Sequence, residues 1–455
     1  MTQQREPALD EFAGVDKVPV RFHRIARAIA VGLAGAYGWG VRGIFGHELG
    51  AAIPGVLIGA TLALLSGHDL FRRRQWVVAA TGAVGFAIGG SMSYGLLVGY
   101  TRHVHTGSVL YGFLGLLLVG ALWGLIGGAW IGLALARAIT LRRLLEGAAV
   151  MMGAAASGYG LLVSLLGLHL SPPRSDAWAA VLGAALGLSW LLRRWGVPAG
   201  WGGAIFGAFG FGLGFVFGDA LQTLGGISGL AFDWWKVMEV TMGFCGGTAL
   251  AWGIWLMADL GRPLLRSPNL QEPGYPLATR LVVWALIFLW VPAGIALTRF
   301  SPKALSALAE GLGFQPIGPF VGMRQWWAWT AVAVGILATV RWLFSQPSRA
   351  RQWARLLPPL FALQMLFLAA LRSLYPGVGP IPWRVLVLLA GLLLAGIVLA
   401  AFLEVDARVF HLHPPKPTAR FVGSLAVAAV VVTVAVSLLV RFSHSTPLPG
   451  AHLRW

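Results

Sequence analysis

The ionisable side chains outside the basic loops are the groups of this sequence that could bind a solute or move a proton. An ionisable group inside an apolar segment is costly to bury, so it normally has a partner or faces water, and it is a candidate functional residue. Seven residues meet this description, and we expect them to bind a solute or an ion. They are Arg42, His47 and Glu48 in the stretch Trp39–Gly50, the isolated acid Asp219, and the group Asp233, Lys236 and Glu239.

The spacing of Asp233, Lys236 and Glu239 indicates that these three residues act together. Residues three positions apart share one face of a helix, so Lys236 is one turn from Glu239 and is a ready partner for its carboxylate. Glu239 lies a turn or more inside an apolar segment, where an acid must be paired or face water. We expect Glu239 either to carry a proton or to neutralise Lys236.

Metal and cofactor sites are not predicted. A zinc site needs three or four converging ligands, and the His-Glu-x-x-His pattern supplies two histidines on one helical face. His47 is followed by Glu48-Leu49-Gly50 with no second histidine, and the chain has a single cysteine, Cys245. There is no phosphate-binding loop, no dinucleotide fingerprint between a strand and a helix, and no Gly-x-Ser-x-Gly elbow. We therefore expect no cofactor.

The composition determines which elements must position these residues. Of the 455 residues 57% are hydrophobic and only 11% are charged, and the mean hydropathy is +0.76. Soluble domains carry about 25% charged residues, so this chain cannot cover a soluble surface with charge. The net charge of +18 fits loops that face an anionic cytoplasmic leaflet better than it fits nucleic-acid binding. The sequence predicts an all-α polytopic membrane protein.

About thirteen segments are apolar enough to span the hydrocarbon core as helices. If the N-terminus is inside, the cytoplasmic gaps hold 23 of the 34 Lys and Arg residues, and the outer gaps hold only single charges or small groups. This pattern predicts an inner N-terminus and an outer C-terminus. The predicted segments are 26–41, 50–66, 76–98, 108–136, 147–169, 177–192, 199–222, 235–257, 278–298, 326–344, 356–375, 384–403 and 422–440.

Glycine is abundant in these segments, with 62 in the chain and many spaced four apart. In lipid such spacing allows helix backbones to approach closely, so we expect glycine-mediated helix packing. The glycine-dense third, seventh and eighth segments could also break and expose backbone to a cavity. We divide the chain into a cytoplasmic tail (1–25), a glycine-rich eight-helix unit (26–260) and a five-helix unit (261–455).

These features favour a secondary transporter or permease of a small solute, with anionic solutes among the candidates. All seven candidate residues map to the outer ends of predicted segments, which predicts an outward-facing polar vestibule with a membrane-embedded carboxylate. Two other functions stay open, namely a membrane-embedded transferase that acts on a lipid-linked substrate at the outer face, and a structural subunit of a membrane complex. The short first outer loop leaves no room for a substrate-holding domain, so the sequence favours a transporter over an enzyme.

The N-terminal 20 residues are polar and lack the basic start and short apolar run of a signal peptide. We expect an integral protein of the bacterial inner membrane whose partners are lipid and a small solute, with no nucleic acid. A homo-oligomer is compatible with the sequence. The stretch Trp39–Gly50 is distinctive in composition, but we assign no family from it.

We predict that a reporter enzyme active only in the cytoplasm is inactive when it is fused after Trp455, because the basic loops place the C-terminus outside. The same reporter fused at Arg408, in a basic gap, should be active. Reporter activity per amount of expressed protein measures both. Strong activity at Trp455 would remove one crossing from the count.

Overall fold

The fold is all-α in a computed structural model that describes residues 20–66, 69–135, 141–172, 176–258, 276–345, 350–403 and 418–454. These residues form helices and no strand, which confirms the predicted fold class. Residues 1–19 of the predicted tail (1–25) lie outside the described residues. The first helix begins at Val20 and so includes the last residues of that predicted tail.

The first part of the chain consists of eight long helices and two short ones. Apolar runs of 15 to 30 residues form the long ones, because a helix satisfies every backbone hydrogen bond internally. A π-helical turn, Gly160–Leu165, continues the seventh helix of the chain. The helices are α1 (Val20–Phe45), α2 (Glu48–Leu65), α3 (Asp69–Arg73), α4 (Gln75–Gly89), α5 (Gly95–Thr101), α6 (Thr106–Leu135), α7 (Leu141–Tyr159), α8 (Ala177–Trp195), α9 (Pro198–Ile227) and α10 (Trp234–Ala258).

The second part begins at Pro276 among the described residues. A π-helical segment, Ala285–Trp290, joins its first two helices into one continuous rod. The stretch Ala304–Leu312 lies between two of the predicted spanning segments, and a short helix that starts at Pro302 covers most of it. The helices are α11 (Leu277–Trp284), α12 (Val291–Arg299), α13 (Pro302–Gly311), α14 (Ile317–Leu343), α15 (Ala350–Ser373), α16 (Pro380–Leu403) and α17 (Ala419–Phe442).

Ten of the described helical segments are long and apolar enough to cross a membrane, which identifies an integral membrane protein. Two further apolar helices, Leu49–Leu65 and Gln75–Gly89, are shorter. Twelve of the thirteen predicted segments each coincide with one described helix or one continuous helical rod. The number of crossings and their orientation remain predictions.

The third predicted segment, 76–98, is broken. Helix α4 ends at Gly89, and α5 begins only at Gly95. The glycine-dense helices α9 and α10 are continuous, so of the three segments expected to be able to break only the third does so. The break has a consequence for the site described below, because it contains Tyr94.

Reciprocal glycine contacts hold the central helices together. In α6 and α9, Gly128 and Gly203 face each other, and a Cβ on either would overlap the backbone carbonyl of the other. Gly124 and Gly207 repeat this arrangement one turn away. Helices α1 and α10 meet in the same way at Gly35 and Gly243, and α2 and α4 at Gly55 and Gly82. Because lipid provides no hydrophobic drive for helix association, this close packing is the main source of cohesion.

Two buried apolar clusters form the core. One surrounds Trp39 and Phe211 and extends to Leu403 and Val440. The other surrounds Phe288 and Met365 and includes residues of α1, α2 and α4. Both clusters therefore contain residues from each of the two units predicted from the sequence. The two predicted units share these cores. The division at residue 260 stays a prediction.

We predict that Gly203→Ala lowers the free energy of unfolding by about 1–3 kcal/mol, because the added Cβ must push α9 away from α6. Unfolding by a denaturing detergent in mixed micelles measures the effect.

The matched control is Gly153→Ala in α7, where nothing lies within 4 Å of the added Cβ. It should be neutral or slightly stabilising, because alanine restricts the unfolded chain. Equal effects of the two changes would mean that the α6–α9 contact does not hold the fold.

Candidate solute-binding site

The C-terminal end of α1 and the N-terminal end of α10, both predicted to be outer ends, bring two of the predicted residues together. Arg42 is in the last turn of α1, and Glu239 is in the second turn of α10. The helices can approach because Gly35 and Gly243 are in backbone contact. Gly43 leaves the space that the Glu239 carboxylate occupies, since a Cβ there would overlap both carboxylate oxygens. The position of the Glu239 carboxylate therefore depends on Gly43, the residue that follows Arg42.

Three side chains hold the Glu239 carboxylate, two through hydrogen bonds and one through its charge. Lys236 Nζ donates to Oε2 at 2.6 Å, as the i, i+3 spacing predicted. Trp235 Nε1 donates to Oε1 at 3.0 Å, and Arg42 Nη1 lies 3.8 Å from Oε1. The side chains of Arg42, Lys236 and Glu239 are 2%, 8% and 1% exposed, so the pair and its neighbours are enclosed. We call Arg42, Lys236 and Glu239 the charged cluster.

Arg42 is oriented by its other contacts. Its Nη1 donates to the Tyr94 hydroxyl at 2.8 Å, and its Nη2 lies 2.8 Å from His47 Nδ1. Tyr94 reaches the arginine because the predicted third segment is broken there. The guanidinium carbon is 5.0 to 5.5 Å from the ring centroids of Trp39, Tyr94 and Trp123, within the range of cation–π attraction.

Trp39 lies one turn before Arg42 and forms the floor of the site. Its ring is fully buried and packs against Trp123, Phe211 and Phe215 at centroid separations of 4.9 to 5.8 Å. Among the described residues, neither Trp39 Nε1 nor Arg42 Nε has a hydrogen-bond partner, although both atoms are buried. Such donors normally have a partner, so two donors on adjacent turns of α1 are left free to bind an acceptor.

His47 lies between α1 and the apolar part of α2 and is held neutral. Burial of the ring lowers the pKa of His47 to about 4, and the positive charges of Arg42 and Arg299 act in the same direction. A depressed histidine pKa favours the neutral form above the folded value, so Nδ1 can accept from Arg42 at neutral pH. Stability from this arrangement decreases as the pH falls below the ordinary histidine value of 6.5 toward 4.

Arg299, at the end of α12, adds a further positive charge. Its Nε donates to the Phe45 carbonyl at 2.7 Å, and its guanidinium lies against Gly46. Gly46 has φ +90°, and a Cβ there would overlap the guanidinium, so both conformation and space require glycine. Among the described side chains, Arg299 is thus a third cation in the region of Glu239, next to His47. The described side chains of this region carry more positive than negative charge.

The remaining predicted residues lie elsewhere. Asp233 caps α10, since its Oδ1 accepts from the Lys236 backbone N–H at 3.1 Å. The backbone of Glu48 begins α2, but its side chain lies outside the described residues. Asp219 is fully buried in α9 next to Thr101 and Arg102 of the α5 region and makes no ion pair with the charged cluster in the described part of the chain.

The charged cluster does not line either of two apolar cavities in the described region. The first has a volume of about 190 Å³ and lies between α1, α2, α15 and α16. The second has a volume of about 320 Å³ and lies between α14 and α15. Because the charged residues are enclosed, the predicted vestibule requires the outer ends of α1 and α10 to open.

Sequence reasoning missed four residues that shape the site, namely Trp39, Tyr94, Trp235 and Arg299. Trp39 and Trp235 lie within the candidate stretches, but an aromatic residue near a segment end is also explained by the membrane interface. Arg299 is one of the scattered basic residues of the predicted outer gaps, which gives no signal of its own. No local signal identifies Tyr94, because only the helix break brings it to Arg42.

Fold and site together define a class, an all-α integral membrane protein with an enclosed and positively charged polar cluster where the ends of α1 and α10 meet. No protein family, no curated protein and no solved structure matches this chain.

We predict that Glu239→Gln lowers the free energy of unfolding by about 3–5 kcal/mol, because Lys236 and Arg42 then keep buried charges without a counter-charge. Unfolding in mixed micelles measures this. The double change Lys236→Met and Glu239→Gln should recover part of the loss, since one of the two charges is gone.

The matched control is Glu146→Gln, which removes the exposed pair with Arg194. A solvent-exposed pair contributes about 0–1 kcal/mol, so this variant should unfold almost like the wild type. A Glu239→Gln protein as stable as the Glu146→Gln protein would contradict the role of Glu239 as the counter-charge.

Proposed function

We propose that the protein is a secondary transporter or permease for a small anionic solute in the bacterial inner membrane. It crosses the membrane about thirteen times, with the N-terminus inside and the C-terminus outside. The ten long apolar helices and the basic loops support the membrane part of this proposal. The charged cluster supports the anionic solute.

The observation that carries the proposal is the surplus of cationic donors. The buried Arg42 and Lys236 and the exposed Arg299 are opposed by Glu239 alone among the described side chains. Two buried donors, Arg42 Nε and Trp39 Nε1, have no acceptor. A guanidinium presents its donors in a fixed fork that fits a carboxylate or phosphate oxygen pair. A solute anion that takes the place of the Glu239 carboxylate between Arg42 and Lys236 would meet these donors.

Glu239 occupies this position in the enclosed state and so acts as an internal substitute for the solute. Its Oε2 accepts from Lys236 and its Oε1 faces Arg42. A solute anion would have to displace the carboxylate, and protonation of Glu239 would release both cations at once. This exchange gives a physical route to proton-coupled anion movement without a nucleotide.

The glycine contacts supply the mobility that transport needs. Gly35 and Gly243 allow α1 and α10 to slide or tilt on one another without side chains in between. Opening at their outer ends would expose the charged cluster to the outside. The enclosed arrangement described above is then one state of an alternating cycle.

The alternative function, a transferase acting on a lipid-linked substrate at the outer face, requires a lipid chain to reach the charged cluster. The cavity between α1, α2, α15 and α16 is apolar enough for such a chain. It extends toward Ala30, Leu64 and Ala400, at the opposite ends of these helices from Arg42. The transporter is therefore the better supported function.

We predict that proteoliposomes containing the full chain give a saturable current or uptake with a small anion from a panel of phosphate, sulfate and short carboxylates. Arg42→Gln should reduce the initial rate at least tenfold, because the main donor to the anion is lost. Arg42→Lys should retain part of the rate, since it keeps the charge but not the fork. Solid-supported-membrane electrophysiology and tracer uptake measure both.

The matched control is Arg324→Gln, which changes a second buried arginine outside the site. Arg324 donates to the carbonyls of Leu371 and Leu374, so its role is to join α14 to the end of α15. The variant should keep the anion specificity of the wild type. No response to any anion in the panel, or equal losses in Arg42→Gln and Arg324→Gln, would contradict the proposal.

A further inference from the structure

A second buried polar group lies at the outer half of α9, apart from the charged cluster. Asp219, Gln222 and Thr223 are 0%, 5% and 2% exposed. They are spaced i, i+3 and i+4, so they share one face of the helix. Thr101, fully buried at the end of α5, lies beside Asp219. We call Asp219, Gln222, Thr223 and Thr101 the oxygen cluster.

The oxygen cluster contains unused acceptors at a depth where polar atoms normally have partners. Among the described residues, Asp219 Oδ1 and Oδ2, Gln222 Oε1 and Thr223 Oγ1 are buried without a hydrogen-bond partner. The Thr101 hydroxyl donates to the Val98 carbonyl at 2.7 Å and lies beside the Asp219 carboxyl. Buried oxygens without partners are expensive, and a carboxylate is the most expensive of them.

The positive charges nearby do not satisfy Asp219. Arg102 is the cation that acts on its carboxyl, but Arg102 Nη1 donates to the Pro449 carbonyl at 3.0 Å. Lys236 and Arg42 face Glu239 on the other side of α10. In the part of the chain that the structure describes, no lysine or arginine lies within ion-pair distance of Asp219.

One carboxylate, with two neutral oxygens on the same helix face and a third beside it, is a donor set that suits a hard cation with a single charge. Hydroxyl, amide and carboxylate oxygens suit alkali and alkaline-earth ions rather than transition metals. A divalent ion would leave a net positive charge inside the bundle, whereas a monovalent ion leaves the group neutral. Thr223 and Gln222 are also near the C-terminal end of α9, where the helix dipole favours a cation.

We propose that the oxygen cluster is a Na⁺-binding site with Asp219 as its charged ligand and Gln222, Thr223 and Thr101 as neutral oxygen ligands. The site is linked to the charged cluster by a short chain of side chains. Phe215, one turn before Asp219, packs on Tyr94 at a centroid separation of 5.2 Å, and Tyr94 accepts from Arg42 at 2.8 Å. Na⁺ bound at Asp219 can thus influence the position of Arg42.

The test is the thermal stability of the purified full-length protein in detergent as Na⁺ replaces choline at constant chloride concentration. A ligand that binds only the folded state raises the unfolding temperature with the logarithm of its concentration above Kd. We expect a saturable rise with Na⁺, a smaller one with K⁺, and none with choline. Constant chloride keeps any occupancy of the charged cluster by anions unchanged.

Three variants assign the response to the oxygen cluster. Asp219→Asn should abolish it, because the neutral amide cannot balance the ion. Thr223→Val, which keeps the volume but removes one oxygen, should raise the half-saturating Na⁺ concentration at least tenfold. Asp233→Asn, which changes an acid that only caps α10, should respond like the wild type. If Asp219→Asn fails to fold, Thr223→Val decides.

Equal responses to Na⁺ and choline, or a wild-type Na⁺ response in Thr223→Val or Asp219→Asn, would overturn the site. A stability that follows pH but not Na⁺ would identify Asp219 as a proton carrier and would equally overturn it. The measurement needs no transport and holds chloride constant, so its outcome does not depend on whether the anion proposal holds. Arg324→Gln, which changes an arginine outside both clusters, should keep the Na⁺ response.

Discussion

The neutralisation of two buried cations by Glu239 is the interaction on which the arrangement of the outer helix ends depends. Lys236 is bound directly at 2.6 Å, and Arg42 is 3.8 Å away and needs Tyr94 and His47 to complete its contacts. Removing the carboxylate leaves two charges in an enclosed site where water cannot replace it, and that is far more costly than losing an exposed pair. The same position is where a solute anion would bind.

Close packing makes this interaction strong. The Glu239 carboxylate fits only because residue 43 has no side chain, and α1 and α10 meet only because Gly35 and Gly243 have none. The aromatic rings of Trp39, Trp123 and Phe215 exclude water from the inner side of Arg42. In such surroundings charges are weakly screened, so a single carboxylate can hold two cations.

The charged cluster and the oxygen cluster lack opposite kinds of hydrogen-bond partner. The charged cluster has surplus donors, and the oxygen cluster has surplus acceptors. They are carried by neighbouring helices, α10 and α9, and Phe215 and Tyr94 lie between them. If the proposed anion and Na⁺ sites are both occupied, each bound ion lowers the cost of burying the other, as a symporter requires.

Hydropathy, basic loops and helical spacing determined the all-α membrane class and the pairing of Lys236 with Glu239, because each of these signals is local along the chain. Tertiary structure alone decided that Arg42 faces Glu239, that Asp233 is only a helix cap, and that Asp219 belongs to a separate group. It also decided that the third predicted segment breaks and brings Tyr94 to Arg42. These outcomes depend on which glycine faces meet across distant parts of the chain, and in a sequence with 62 glycines many such faces are equally suitable.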